Sequence, residues 1–102
     1  MNYVIDIDDT ICIPGPTDET KYTDATPIQD RIAKINKLYD EGNRILYLTA
    51  RGMGKYKNSS DLAHMEHYEF TRAQLVSWGC KFHELRLGKP NADYYIDDKA
   101  IN

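Results

Sequence analysis

Apolar positions along this chain change their period several times, and each change marks an element. Residues 3–7, Tyr-Val-Ile-Asp-Ile, form a β-forming segment that runs into a cluster of aspartates. Residues 11–27 scatter Pro14, Gly15, Pro16 and Pro27 among polar side chains, which predicts a loop or short hairpin rather than a domain. Thr26 then Pro27 has the form of a helix cap followed by proline in the first turn. Ile28, Ile32, Ile35 and Leu38 or Tyr39 follow at helical spacing, and Gly42 closes the helix. Residues 44–48, Arg-Ile-Leu-Tyr-Leu, form a second strand with Thr49 at its C-terminal end. A basic, glycine-containing loop occupies 51–60. A second helix is predicted over 61–78, stopped by Gly79, with Leu62, Phe70, Ala73, Leu75 and Trp78 on its apolar face. Residues 81–85 and 93–97 supply a third and a fourth strand. The order β-α-β-α-β-β predicts an α/β fold, a parallel sheet flanked by helices and joined by right-handed crossovers.

Composition narrows the functional classes. A chain of 102 residues suits one small domain, 1–102, with a single core. The net charge of −3 disfavours sequence-independent nucleic-acid binding, which needs a cationic surface. No apolar run approaches the length of a membrane span, so no membrane partner is expected. The N-terminus enters a strand pattern at once, and a signal peptide is not expected. Cys12 and Cys80 stand apart with no metal-binding spacing, as two buried, reduced thiols of a cytoplasmic protein would.

The chemistry gathers at the ends of strands. In an open parallel sheet, ligands bind beyond the carboxyl ends of the strands. The first strand ends in Asp6-Ile7-Asp8-Asp9-Thr10, the second in Thr49-Ala50-Arg51, and the fourth in Asp97-Asp98, with Lys89 shortly before it. A parallel arrangement brings these ends to one rim. Like charges so crowded repel unless a cation lies among them. Carboxylates converging from two strands make a hard, oxygen-rich site suited to Mg²⁺, and a neighbouring hydroxyl and ammonium suit a phosphoryl group.

These residues carry a resemblance. The chain closely resembles the haloacid dehalogenase-like (HAD-like) phosphohydrolases. Val4-Ile5-Asp6-Ile7-Asp8-Asp9-Thr10 is similar to their first motif, the strand ending in Thr49 to the second, Lys89 in Gly-Lys-Pro to the third, and Tyr94-Tyr95-Ile96-Asp97-Asp98 to the fourth. The four occur in the family's order and span essentially the whole chain. The segments Leu48-Thr49-Ala50-Arg51-Gly52 and 88–100 look like those of small capsule-biosynthesis-type members. The resemblance implies a small Rossmann-like domain and a Mg²⁺-dependent phosphatase working through an aspartyl-phosphate. Asp6 would be the nucleophile and Asp8 the general acid, then base. Asp6, the Asp8 carbonyl and Asp97 would hold the metal, with Asp98 acting behind them or through water. Thr49 and Lys89 would hold the phosphoryl group, and Ala50 and Arg51 would border the substrate. Lys81 is the alternative lysine. Asp9 stands where glycine is common in the family.

The expected substrate is a small phosphorylated molecule, a phosphosugar or a relative of one. The segment 11–27 leaves room for a flap but not for a separate cap domain, so either a substrate that itself fills the open rim or a neighbouring copy of the chain is expected to cover it. Two other readings share much of this chemistry. A polynucleotide 3′-phosphatase would call for a basic groove. A receiver-like signalling domain would hold its phosphoryl group rather than release it, but it carries its phosphoacceptor aspartate on the third strand. His64 and His67 flank Met65-Glu66 at a spacing unlike the zinc-protease motifs, and suit a solvated helix face.

Overall fold

The computed structural model of the chain describes residues 1–51 and 60–88, with side chains from Tyr68 and His67 onward in the second segment. Lys89, Asp97, Asp98 and the expected fourth strand, 93–97, lie outside the described residues, as does most of the basic loop.

Strand β1 (Asn2–Ile5) is followed by a two-residue strand, β2 (Cys12–Ile13), and another, β3 (Thr26–Pro27). Helix α1 (Gln29–Asp40), strand β4 (Arg44–Thr49), helix α2 (Ser60–Ser77) and strand β5 (Glu84–Leu87) complete the described order. β4 is the centre of a three-stranded parallel sheet, β1-β4-β5. Its register pairs Ile5 with Tyr47 on one side and Tyr47 with Leu85 on the other. Side chains alternate across a strand, so Ile45, Tyr47, Thr49, Leu85 and Leu87 share one face, and all are buried. Ile32 of α1 and Leu75 of α2 join the same cluster, which places the described core on that face of the sheet. Val4, on the opposite face, is 61% exposed. The result is a small α/β unit with a parallel sheet and helical crossovers, consistent with a Rossmann-like fold.

Helix α1 carries its predicted stripe, since Ile32 is buried and Ile35, Leu38 and Tyr39 pack against the core. Its C-terminus closes as expected. Gly42 takes φ +97°, its N–H donates to the Tyr39 carbonyl, and Asn43 N–H donates to Leu38. The start differs from the sequence reading. Thr26 is not the cap and Pro27 is not in the first turn. Both lie in β3, paired antiparallel with Ile13 and Cys12, and the helix begins two residues later with Ile28 at the boundary. The Ile28 N–H donates to the Ile11 carbonyl over 2.8 Å, which holds the chain extended through Pro27. Residues 11–27 are therefore a short hairpin, its tip braced by the Thr17–Thr20 hydroxyl pair at 2.8 Å and by Gly15 N–H donating to the Lys21 carbonyl.

Helix α2 spans nearly the predicted range, and Leu75 and Trp78 of its predicted face pack in or against the core, whereas two other positions of that face do not; the side chain of Leu62 lies outside the described residues. Phe70 is 38% exposed and Ala73 is exposed, while Thr71 and Leu75 are fully buried. A polar contact described below draws Thr71 inward. The third strand also begins later than expected, at Glu84, because His83 N–H donates to the Ile45 carbonyl and sets the register against β4. Asn36 joins the two helices at their lower ends, its amide donating to the Gly79 carbonyl and accepting from Lys81 N–H, each over 2.8 Å.

Candidate functional site

β1 ends at Ile5, and the chain turns sharply over the next residues. Thr10 and Ile11 N–H both donate to the Ile7 carbonyl, and Asp9 N–H donates to Cys12. Asp9 takes φ +66°, the left-handed region that aspartate tolerates better than most residues and glycine best. Glycine would adopt this conformation without a steric penalty. Ile7 and Ile11 are fully buried and anchor the turn, leaving Asp6 and Asp8 half-buried at the C-terminal end of the sheet. Asp6 Oδ1 accepts the Ile7 N–H over 2.9 Å.

Thr49 ends β4, the neighbour of β1, so it stands at the same end of the sheet as the Asp6–Asp8 turn. It is 1% exposed, its Oγ1 accepts the Arg51 N–H over 3.2 Å, and its carbonyl accepts the Gly88 N–H. A hydroxyl that accepts still has a proton to donate. Ala50, next along, is half-buried. Gly88 brings the chain back to this rim immediately before Lys89.

Arg51 departs from its expected place. Its side chain is directed inward, is fully buried and pairs with Asp8. Nε reaches Asp8 Oδ2 at 3.1 Å and Nη2 reaches Oδ1 at 3.0 Å, a two-pronged pairing. Nη1 donates to Gln74 Oε1 at 2.8 Å and Thr71 Oγ1 at 3.3 Å. The Tyr22 ring lies 4.6 Å from the guanidinium carbon, and the Gln74 amide donates to the Tyr22 carbonyl. One side chain thus ties the β1 turn, the hairpin, the end of β4 and helix α2 together. The physical cause is plain. A buried guanidinium is tolerated only where its N–H groups and its charge are met, and this requirement turns Thr71 and Gln74 inward at the expense of Phe70 and Ala73.

The sequence reading missed Tyr22, Thr71 and Gln74. The legible signal was a polar pair three residues apart on the Leu75 face of a helix, in a chain whose one arginine after a strand end needed partners.

Cys12 lies beside Asp8, its thiol donating to Oδ1 at 3.5 Å. Burial chiefly, and the adjacent Asp8 charge, push the Cys12 thiol up to about 12, with Arg51 opposing. Cys80, near the opposite end of the sheet, is pushed up to about 11 by burial. Neither suits a nucleophile near neutral pH. Lys81, the alternative lysine, pairs with Asp40 over 2.8 Å at the end of α1 far along the chain from the aspartate turn. It stands before β5, whereas the Asp6–Asp8 turn and Thr49 lie at the other end of the strands.

Among the described residues no cluster of three His, Cys, Asp or Glu side chains forms a metal cage, and no helix is long and apolar enough to cross a membrane. The chain matches no family model, and no curated protein matches it. Among solved structures, a crystal structure of a structural-genomics target from Vibrio cholerae is similar, with a TM-score of 0.86 at 24% identity over 98% of this chain and 81% of that one. That likeness establishes a shared fold.

Proposed function

We propose that this chain is a Mg²⁺-dependent phosphomonoesterase of the haloacid dehalogenase-like type, acting on a small phosphorylated metabolite such as a phosphosugar. The observation that carries the reading is the placing of Asp6 and Asp8 on the turn directly beyond β1, at the same end of the sheet as Thr49 on the paired strand β4.

Asp6 attacks the phosphorus atom, an aspartyl-phosphate forms, and the ester oxygen departs with a proton from Asp8. Asp8 then takes a proton from water, the water oxygen attacks phosphorus, and inorganic phosphate leaves as the Asp6 carboxylate is restored. Thr49 donates its hydroxyl proton to a phosphoryl oxygen. Lys89 neutralises Asp6 and the phosphate, and the main-chain N–H groups around Ala50 border the phosphoryl site. The donors at the turn, a carboxylate from Asp6 and the main-chain carbonyl of Asp8, are hard oxygens that fit Mg²⁺. Asp97 and Asp98 complete that set in this reading. When bound, the ion offsets the charge that builds on the phosphoryl oxygens.

The deciding experiment is phosphate release from a panel of sugar phosphates, nucleotides and 3′-phosphorylated DNA with Mg²⁺. The native chain is expected to turn over repeatedly and to stop on chelation, and Asp6→Asn to abolish turnover while remaining folded. Full activity of Asp6→Asn, with deamidation excluded by mass spectrometry, overturns the reading.

A further inference from the structure

We propose that Arg51 is the positioning residue of Asp8: it holds the carboxylate that exchanges the proton and never meets the substrate itself. The proposal rests on the phosphatase reading above. Three observations carry it. The pairing is asymmetric, since the Arg51 side chain is fully buried while that of Asp8 keeps 22% exposure. The guanidinium is the partner fully withdrawn from water, and Asp8 is the one that keeps exposed surface.

The pairing is also rigid. Two prongs fix the plane of the carboxylate, because rotation about the last side-chain bond would break both hydrogen bonds at once. The far end of the guanidinium is held in turn by Thr71 and Gln74 of α2, and its face is covered by Tyr22. Four of its five N–H groups are engaged by these partners. A lysine could not reproduce this, as it lacks the planar fork.

Finally, the two carboxylate oxygens are not equivalent. Oδ1 accepts from both Arg51 Nη2 and the Cys12 thiol, whereas Oδ2 accepts from Arg51 Nε. Each carboxylate oxygen offers about two acceptor positions. Among the described residues Oδ2 therefore carries one partner fewer than Oδ1, and we assign the proton exchange to it. The same guanidinium lies against Tyr22 of the hairpin, and Gln74 grips the Tyr22 main chain. Asp8 and the hairpin thus share one support.

The test compares an alkyl phosphate, whose leaving group needs a proton, with p-nitrophenyl phosphate, whose leaving group does not. If Arg51 acts through Asp8, Arg51→Gln lowers kcat on the alkyl ester by about 10²-fold, the lower bound for losing a placed general acid, and on the aryl ester far less. Arg51→Lys recovers part of the loss at most. In the double variant Asp8→Asn/Arg51→Gln, activity on the alkyl ester stays within a few-fold of Asp8→Asn alone, since there is no longer an acid to position. Each variant is checked by circular dichroism and thermal melting. If the Arg51 variants do not fold, Gln74→Leu loosens only the far end of the guanidinium and is expected to show the same alkyl-selective loss in smaller measure. Equal losses on both esters, or losses that multiply with Asp8→Asn, overturn the proposal while the phosphatase reading stands. A fully active Asp6→Asn control, or a native chain that releases phosphate from neither ester, overturns the phosphatase reading and the proposal with it.

Discussion

Asp8 and Arg51 are 43 residues apart in sequence and meet through two hydrogen bonds of 3.0 and 3.1 Å at the C-terminal end of the sheet. Removing one partner of such a pair leaves the other charge uncompensated. Asp8→Ala would strand a guanidinium with no exposed side-chain surface and is expected to cost about 3–5 kcal/mol of stability. Urea unfolding measures this. A loss under about 1 kcal/mol, the range of exposed ion pairs, would show that Arg51 finds water or another acceptor.

The turn after β1 depends on one residue with positive φ. At φ +66°, Asp9→Val should lose about 1–2 kcal/mol from the steric penalty of the left-handed region, whereas Asp9→Gly should stay close to the native chain. Thermal melts of the two variants distinguish them. If they are equally stable, the turn relaxes and does not constrain position 9.

The hairpin tip has its own steric requirement. A Cβ at Gly15 would collide with the Thr20 carbonyl oxygen and come within 2.9 Å of Asp24 Cβ. Gly15→Ala is therefore expected to reshape the flap. If the flap borders the substrate, KM rises several-fold on the best substrate while the Mg²⁺ concentration needed for half-maximal activity is unchanged. Unaltered KM with an altered flap, the latter followed by proteolysis after Lys21, would remove the flap from the site.

Both thiols are held protonated by their surroundings. The folded-state values of about 12 for Cys12 and about 11 for Cys80 lie above the ordinary 9.0, so between these limits the unfolded chain has released protons that the folded chain retains. Their contribution to stability is complete below about pH 9 and is lost as pH rises through 11 to 12. Urea midpoints should fall progressively over that interval, and Cys12→Ala/Cys80→Ala should flatten the slope. At pH 8, alkylation should be slow in buffer and rapid in denaturant.

Much of the fold is local in origin and therefore legible. The Ile28–Tyr39 spacing, the glycine stops at Gly42 and Gly79 and the β-forming runs each act within a few residues, where propensity and periodicity operate. The Asp6–Asp8 turn and Thr49 were legible for the same reason, as short polar endings on apolar strands, and the parallel pairing of β1 with β4 brings them to one end of the sheet. What the tertiary structure alone decided involves partners distant in sequence. Ile11 captures Ile28 and so displaces the start of α1 beyond Pro27. Ile45 captures His83 and so delays β5. Above all, Arg51 reads in sequence as a basic loop residue open to an anion or to water, yet in three dimensions it turns inward to Asp8. No window of neighbouring residues could reveal this, because this guanidinium is buried where a carboxylate, a hydroxyl, an amide and an aromatic face come together from three separate segments to offset its lost hydration.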